Sequence, residues 1–225
     1  MRVLVIEGDK ATARTLESVL RGEDIGVDIA ESPDEAVQFA RHFDYDALVL
    51  DMHNSDIRGT EALRVIRRAG IAIPLVALSG TANVDGTVKA LSAGADDYMA
   101  KPFNNAELLS RVRAVVRRSK GLSDSFIKFG DVTLDISARS VEVAGKVVSL
   151  TGKEYQVLEL LSLRRGATVS KETLISHIYA DGEGPESSTV GLFMHRLRKK
   201  LAAVSGGAQY IKTVRQYGYL LPRAA

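Results

Sequence analysis

The stretch Tyr45-Asp46-Ala47-Leu48-Val49-Leu50-Asp51 decides how the rest of the chain is read. Residues 47–50 form an unbroken apolar run, the length of a strand buried on both faces. A carboxylate, Asp51, ends it abruptly. In an open parallel sheet, chemistry collects in the crevice beyond the C-terminal strand ends. Asp51 stands where such a crevice opens.

The same pattern repeats on both sides. Arg2–Ile6 reads as a strand that runs into Glu7-Gly8-Asp9. Residues 27–30, 74–78 and Asp97–Ala100 read as further strands, the last two ending at Ser79-Gly80 and Lys101-Pro102. Helical spacing fills the intervals. Ala13, Leu16 and Leu20 recur in the first. Ser32 reads as an N-cap before Pro33 in the second, with Ala36, Ala40 and Phe43 as its buried face. Leu63 and Ile66 mark a helix over 60–68, and Val84, Val88 and Leu91 mark one that stops at Gly94. Leu108, Val112 and Val115 face inward from a helix over 105–118. Strand and helix alternate five times, which predicts an α/β domain with a five-stranded, doubly wound parallel sheet.

The strand ends bring Glu7, Asp9, Asp51, Ser79 and Lys101 to one edge. Carboxylates bind a hard divalent cation, while a hydroxyl and an ammonium hold phosphoryl oxygens. An aspartate can itself accept the phosphoryl group. Asp9 has a second reading, as the N-cap of the helix that begins at Lys10.

Composition sets the outer limits. The 225 residues suffice for two ordinary domains. Without Cys, disulfides and thiolate metal sites are excluded. His42, His53, His177 and His195 have no metal-ligand spacing. No apolar run is long enough to span a membrane, and MRVLVIEGD has no signal-peptide pattern, so a cytoplasmic protein without a membrane partner is expected. Residues 1–120 carry 16 Lys and Arg against 18 Asp and Glu, net −2; residues 121–225 carry 14 against 10, net +4. An acidic half followed by a basic half suggests domains with different partners. The polar run 117–125 reads as the joint, giving a first domain over 1–118, a linker over 119–125 and a second domain over 126–225.

The second half is α+β. Short strand-like segments at 127–129, 132–135, 141–143 and 147–150 predict an antiparallel sheet, with Ala144-Gly145-Lys146 as a hairpin turn. Thr151 and Glu154 form a capping box before a helix carrying Tyr155, Leu158 and Leu161. Ser170 caps a second helix over 171–179, with Leu174 and Ile178 inward. A third runs from Ser187 or Ser188 to about Val204, with Val190, Met194, Leu197 and Leu201 as one apolar stripe. His195, Arg196, Arg198, Lys199 and Lys200 lie off that stripe, as a DNA-facing surface or as a solvated helix face. The segment 210–220 reads as a closing hairpin with Lys212 and Arg215 exposed, the form of a wing.

These motifs resemble known ones. The acidic cluster at Glu7, Leu50-Asp51, Leu78-Ser79-Gly80 and the run 94–103 (GADDYMAKPF) are similar to the receiver domain of a response regulator. Leu150-Thr151-Gly152-Lys153-Glu154-Tyr155, Arg196-Leu197-Arg198-Lys199-Lys200-Leu201 and Thr213-Val214-Arg215 with Gly218-Tyr219 resemble the winged helix-turn-helix effector of the OmpR/PhoB family. The resemblance spans essentially the whole chain. On the runs 94–103, 116–121, 150–155 and 158–164 it narrows to the cell-cycle regulators of alphaproteobacteria.

The resemblance implies a sequence-specific DNA-binding regulator, not an enzyme. Asp51 becomes the phospho-acceptor; Ser79 and Lys101 contact the phosphoryl group, and Tyr98 reorients on activation. Mg²⁺ is held by Glu7, Asp51, the backbone carbonyl of His53 and, after a loop adjustment, Asp9. Arg196 reaches base edges or phosphates, Arg198 meets phosphate, and Arg215 enters the minor groove from the wing. Leu192 touches a thymine methyl, Ser188 and Phe193 stand at contact positions, and Lys199 and Lys212 add basic surface. Asp97, Glu107 and Arg111 fall on the face through which family members form homodimers. A histidine kinase or phosphotransfer protein and RNA polymerase are the implied protein partners.

Three departures bear on control. Gly8 stands where receivers carry a second acid that ligates Mg²⁺, His53 replaces a common Asn, and Ser55 replaces a loop-shaping proline. Phosphoryl transfer needs the metal to neutralise charge between acceptor and donor. Two readings stand: an atypical regulator with weak or absent Mg²⁺-dependent phosphorylation of Asp51, and a conventional regulator switched by phosphate there.

Overall fold

All residues of the run 47–50 are at most 2% exposed, and Arg2–Ile6 and Leu75–Ser79 are buried along their whole length. These are the central strands of a parallel sheet. The computed structural model describes residues 1–52, 56–80, 84–122, 124–179 and 188–223, and of Asp56, Ile57 and Ser188 only the backbone. The chain divides into one unit spanning Arg2–Gly121 and a second beginning at Leu122.

In the first unit the order is β1 (Arg2–Ile6), α1 (Lys10–Arg21), β2 (Gly26–Ala30), α2 (Pro33–His42), β3 (Ala47–Asp51), α3 (Asp56–Arg68), β4 (Leu75–Ser79), α4 (Val84–Ser92), β5 (Asp97–Ala100) and α5 (Asn105–Ser119). The strands lie in the order β2-β1-β3-β4-β5, all parallel. That order reverses direction between β1 and β3, so the crevice of the switch point lies between Glu7 and Asp51. One sheet face, with Leu4, Ile6, Leu48 and Leu50, packs against Ala36, Leu63, Ile66 and Ala90 of α2, α3 and α4. Ala13, Leu16 and Leu20 of α1 and Leu108, Val112 and Val115 of α5 are buried as expected.

Arg67 locks two loops together. Its guanidinium donates to Gly94 O, Ile71 O and Ile73 O at 2.8 Å and to Asp96 Oδ2 at 2.7 Å. Asp96 in turn accepts the N–H of Leu75 at 2.8 Å. The loop before β4 and the loop before β5 are therefore fixed by one side chain.

Several elements differ from expectation. Phe43 is 47% exposed instead of buried. It is the C-cap of α2, in extended conformation, so it leaves the helical period and sets its ring edge-on to Phe39. Val37 takes the buried place. Helix α3 starts at Asp56, a turn earlier than residue 60. In α4 the buried residues are Gly86 and Ala90, and the expected markers Val84, Val88 and Leu91 form an exposed apolar stripe.

The second unit contains β6 (Phe126–Phe129), β7 (Val132–Asp135), β8 (Ser140–Val143) and β9 (Lys146–Val147), an antiparallel sheet in that order. The run 147–150 supplies only the end of β9. After the Val148 N–H bonds Val141 O, the chain turns to Thr151, the N-cap of α6 (Gly152–Leu163). Both bonds of the capping box are present. β10 (Thr168–Val169), α7 (Lys171–Ile178) and α8 (Ser188–Val204) follow, and β11 (Lys212–Val214) and β12 (Gly218–Leu220) close the chain as a hairpin against β10. This is a winged helix-turn-helix.

Gly59 sets how closely α3 approaches the end of β3. A Cβ there would lie 2.4 Å from Met52 Cβ. Gly59→Ala is expected to destabilise the first unit by about 1–3 kcal/mol through overpacking, read as a lower urea midpoint of the full chain; an unchanged midpoint would contradict this packing.

Candidate functional site

Asp51 ends β3, and its side chain is fully enclosed. Lys101, one residue past β5, forms an ion pair with Asp51 Oδ2. The Lys101 N–H donates to Ser79 O at 2.7 Å, so hydroxyl and ammonium residues stand side by side on adjacent strand ends. Ser79 is 0% and Tyr98 9% exposed. Across the switch point, Glu7 is 2% exposed and accepts the Asp9 N–H at 2.7 Å. Burial, then a hydrogen bond shared with Asp51, push its carboxyl up to about 7; the Asp9 N–H and Lys101 oppose that rise. Glu7 and Asp51 are thus neighbouring carboxyls, and burial beside Asp51 favours the protonated form of Glu7.

Asp9 is committed elsewhere. Its Oδ1 accepts the Thr12 N–H at 2.8 Å and caps α1. The cap reading of this residue is the one the geometry bears out. His53 and Ser55 lie outside the described residues. Beside the acid pair is a cavity of about 160 Å³ lined by Glu7, Gly8, Glu31, Asp51, Arg58 and Gly59. Sequence reasoning missed Arg58, whose only signal was its place one turn beyond the acceptor strand. Gly8 leaves this cavity open, and a Cβ there would meet Glu31 O at 3.3 Å. Mg²⁺ wants about six oxygens, usually with carboxylates among them. Asp51 is already paired with Lys101, position 8 has no side-chain oxygen and Asp9 caps α1, so the side-chain donor set for it is thin; no group of three potential metal-ligating His, Asp or Glu side chains occurs among the described residues.

The basic face is built on α8. Val190, Met194, Leu197 and Leu201 are at most 1% exposed and seat the helix on the domain. Arg196 and Lys199 are exposed, as is Leu192 at 47%; Phe193 is half-buried. The Ser188 side chain lies outside the described residues. Lys200, basic in sequence, turns inward to Glu154 Oε2 at 2.7 Å and Ser149 O at 3.0 Å. Arg198 also turns away from solvent, to the carbonyl of Ile211 and the hydroxyl of Thr213. On the wing, Lys212 and Arg215 are exposed. Tyr217 at its tip is 70% exposed and was not singled out from sequence, although an aromatic in a polar hairpin turn was a signal. A groove of about 600 Å³ between α8 and β11 is lined by His195, Lys199, Tyr210 and Lys212 among others.

Asp97, Glu107 and Arg111 are brought together within one chain. Arg111 contacts both oxygens of Asp97 at 3.1 Å and Glu107 Oε1 at 2.7 Å.

A doubly wound sheet with a buried aspartate at its switch point, joined to a winged helix with a basic recognition helix, defines a DNA-binding response regulator. The model of the response regulator receiver domain matches residues 3–113, and that of the transcriptional regulatory protein C-terminal domain matches residues 145–221. The chain belongs to the response regulators of OmpR/PhoB type, with a receiver and a winged-helix DNA-binding domain, and is CtrA-like. It is 47% identical over 221 residues to the cell cycle transcriptional regulator CtrA of Caulobacter vibrioides, covering 98% of this chain and 96% of that one. The cell cycle response regulator CtrA of Brucella abortus is 46% identical, with 98% and 95% covered. Among solved structures, the Thermotoga maritima regulator DrrB, an OmpR/PhoB homologue, covers 99% of both chains at 26% identity and a TM-score of 0.45. No helix among the described residues is long and apolar enough to cross a membrane.

The raised Glu7 carboxyl makes stability pH-dependent. Between its ordinary value of 4.5 and about 7, the folded chain holds a proton that the unfolded chain releases. This contribution is complete below 4.5 and is lost as pH rises through 7. In chelator, raising the pH from 5.5 to 8 should lower the stability of the first unit by about 2 kcal/mol, and Glu7→Gln should flatten the profile. An identical slope in Glu7→Gln would exclude this origin.

Proposed function

We propose that this transcription regulator is atypical: Mg²⁺-dependent phosphorylation of Asp51 is weak or absent, and the receiver dimerises without it. The observation that carries the reading is the charge balance at the switch point. Lys101 already pairs with Asp51, Gly8 contributes no side-chain oxygen, and Asp9 caps a helix. A divalent cation entering there would meet an acceptor already paired with lysine and too few side-chain oxygens to hold it. Tyr98, the side chain expected to move inward on activation, is already buried.

Dimerisation is supported by the exposed stripe of α4, where Val84, Val88 and Leu91 are 77%, 56% and 45% exposed. An unpartnered apolar helix face beside the Asp97–Arg111–Glu107 charges suits a self-complementary interface. Pairing two winged helices on adjacent half-sites supplies avidity that one small module lacks. In DNA binding, Leu192, Phe193, Arg196 and Lys199 face the major groove, with Ser188 at the entry of the helix. Lys212 and Arg215 supply phosphate and minor-groove contacts from the wing. The protein acts in the cytoplasm, with RNA polymerase as its partner on DNA. A histidine kinase or phosphotransfer protein becomes a partner to the extent that Asp51 accepts phosphate.

The test compares wild type, Asp51→Asn and Gly8→Asp, each with and without Mg²⁺ and a small acyl phosphate. The DNA probe is a duplex enriched from a random-sequence pool on the wild-type protein. Wild type and Asp51→Asn should dimerise and bind this duplex alike under every condition. Gly8→Asp should raise covalent labelling by about tenfold to a hundredfold, the usual scale for restoring metal-site groups. Near-stoichiometric, Asp51-dependent labelling of wild type that tightens DNA binding would establish conventional phosphate control instead.

A further inference from the structure

We propose that Arg198 is a positioning residue that braces the wing against the recognition helix, with its hydrogen-bonding groups engaged inside the domain instead of on the DNA backbone. Sequence placed it among the basic residues of α8 that meet phosphate. In the fold it is half-buried, and two of its three nitrogens are engaged. Nε donates to Ile211 O at 3.1 Å; Nη2 donates to the same carbonyl at 2.9 Å and to Thr213 Oγ1 at 2.8 Å. Its guanidinium carbon also lies 5.7 Å from the centroid of the Tyr219 ring, on the other strand of the hairpin. One side chain of α8 therefore touches the residue before β11, a residue of β11 and a residue of β12.

The neighbouring basic residues behave differently. Arg196 and Lys199 on α8 and Lys212 and Arg215 on the wing are exposed. The wing is also fixed at its root. A Cβ at Gly218 would lie 2.0 Å from Val169 O, so β12 meets β10 at backbone contact distance with φ +143, in a conformation that glycine tolerates. With the root held by β10 and the flank held by Arg198, recognition helix and wing are presented to the duplex at a fixed separation. Pre-setting that separation removes an ordering cost from binding. A planar guanidinium suits the task because it holds two acceptors and lies over a ring at once; an ammonium is a point charge.

This inference rests on α8 and the wing forming the DNA face, and the experiment separates the two ideas. Full-length wild type, Arg198→Lys, Thr213→Val, Arg196→Ala and Arg215→Ala are titrated against the enriched duplex across a salt series. Amide exchange of Lys212–Val214 is followed in the DNA-free protein. For a phosphate contact, the lysine variant keeps the charge and its β11 amides exchange like those of wild type. For a brace, Arg198→Lys loses about tenfold in affinity, the scale of one hydrogen bond to a charged group, with an unchanged salt slope. Its β11 amides, and to a smaller degree those of Thr213→Val, exchange faster. Arg198→Lys with wild-type affinity, a reduced salt slope or unchanged exchange in β11 overturns the brace. Should Arg198→Lys fail to fold, faster β11 exchange in Thr213→Val supports the brace and unchanged exchange overturns it. Arg196→Ala and Arg215→Ala should each lower the slope by about 0.9; if neither does, the DNA-face reading fails while the exchange result still judges the brace.

Discussion

The ion pair between Lys101 and Asp51 is the constraint on which the receiver turns. It joins the end of β3 to the residue after β5, across β4. A buried carboxylate is costly unless paired. Here the pairing comes from a lysine, and from a neighbouring carboxyl that keeps its proton to about neutral pH. The cluster is nearly self-neutralising. That arrangement supports the proposal that Mg²⁺ is recruited weakly. Gly8 is the residue that tips the balance, because an acid there would add negative charge that only a cation could offset.

Much of this was legible in the sequence, because burial on both faces leaves an unmistakable mark. The runs in β1, β3 and β4 could only be inner strands, and the polar residues following them had to meet at one sheet edge. The capping box at Thr151 and Glu154 and the stripe from Val190 to Leu201 were equally direct. What sequence could not supply was direction at element ends. Phe43 sits one residue past its helix and swings outward. Val84, Val88 and Leu91 have helical spacing, yet the side facing the sheet carries Gly86 and Ala90, since α4 approaches closely and leaves its larger side chains outside. Spacing gives a stripe but not what covers it.

The basic residues carry the same lesson. From α8 alone, Arg198, Lys199 and Lys200 are indistinguishable cations. In the fold, Lys200 pairs with the carboxylate of the capping box and Arg198 hydrogen-bonds to the wing, so both side chains are held by the domain itself. Which cation is structural depends on partners dozens of positions away or on the last hairpin, and no local pattern records them. Stability and recognition are thereby drawn from one helix, with neighbouring residues doing different jobs.

Whether the switch-point cluster holds a metal is read by calorimetric titration of Mg²⁺ into the full chain at neutral pH, beside Gly8→Asp. Wild type should give no saturable heat at millimolar Mg²⁺, whereas Gly8→Asp should bind measurably. Saturable, sub-millimolar binding by wild type that disappears in Asp51→Asn would instead establish a working metal site at Asp51.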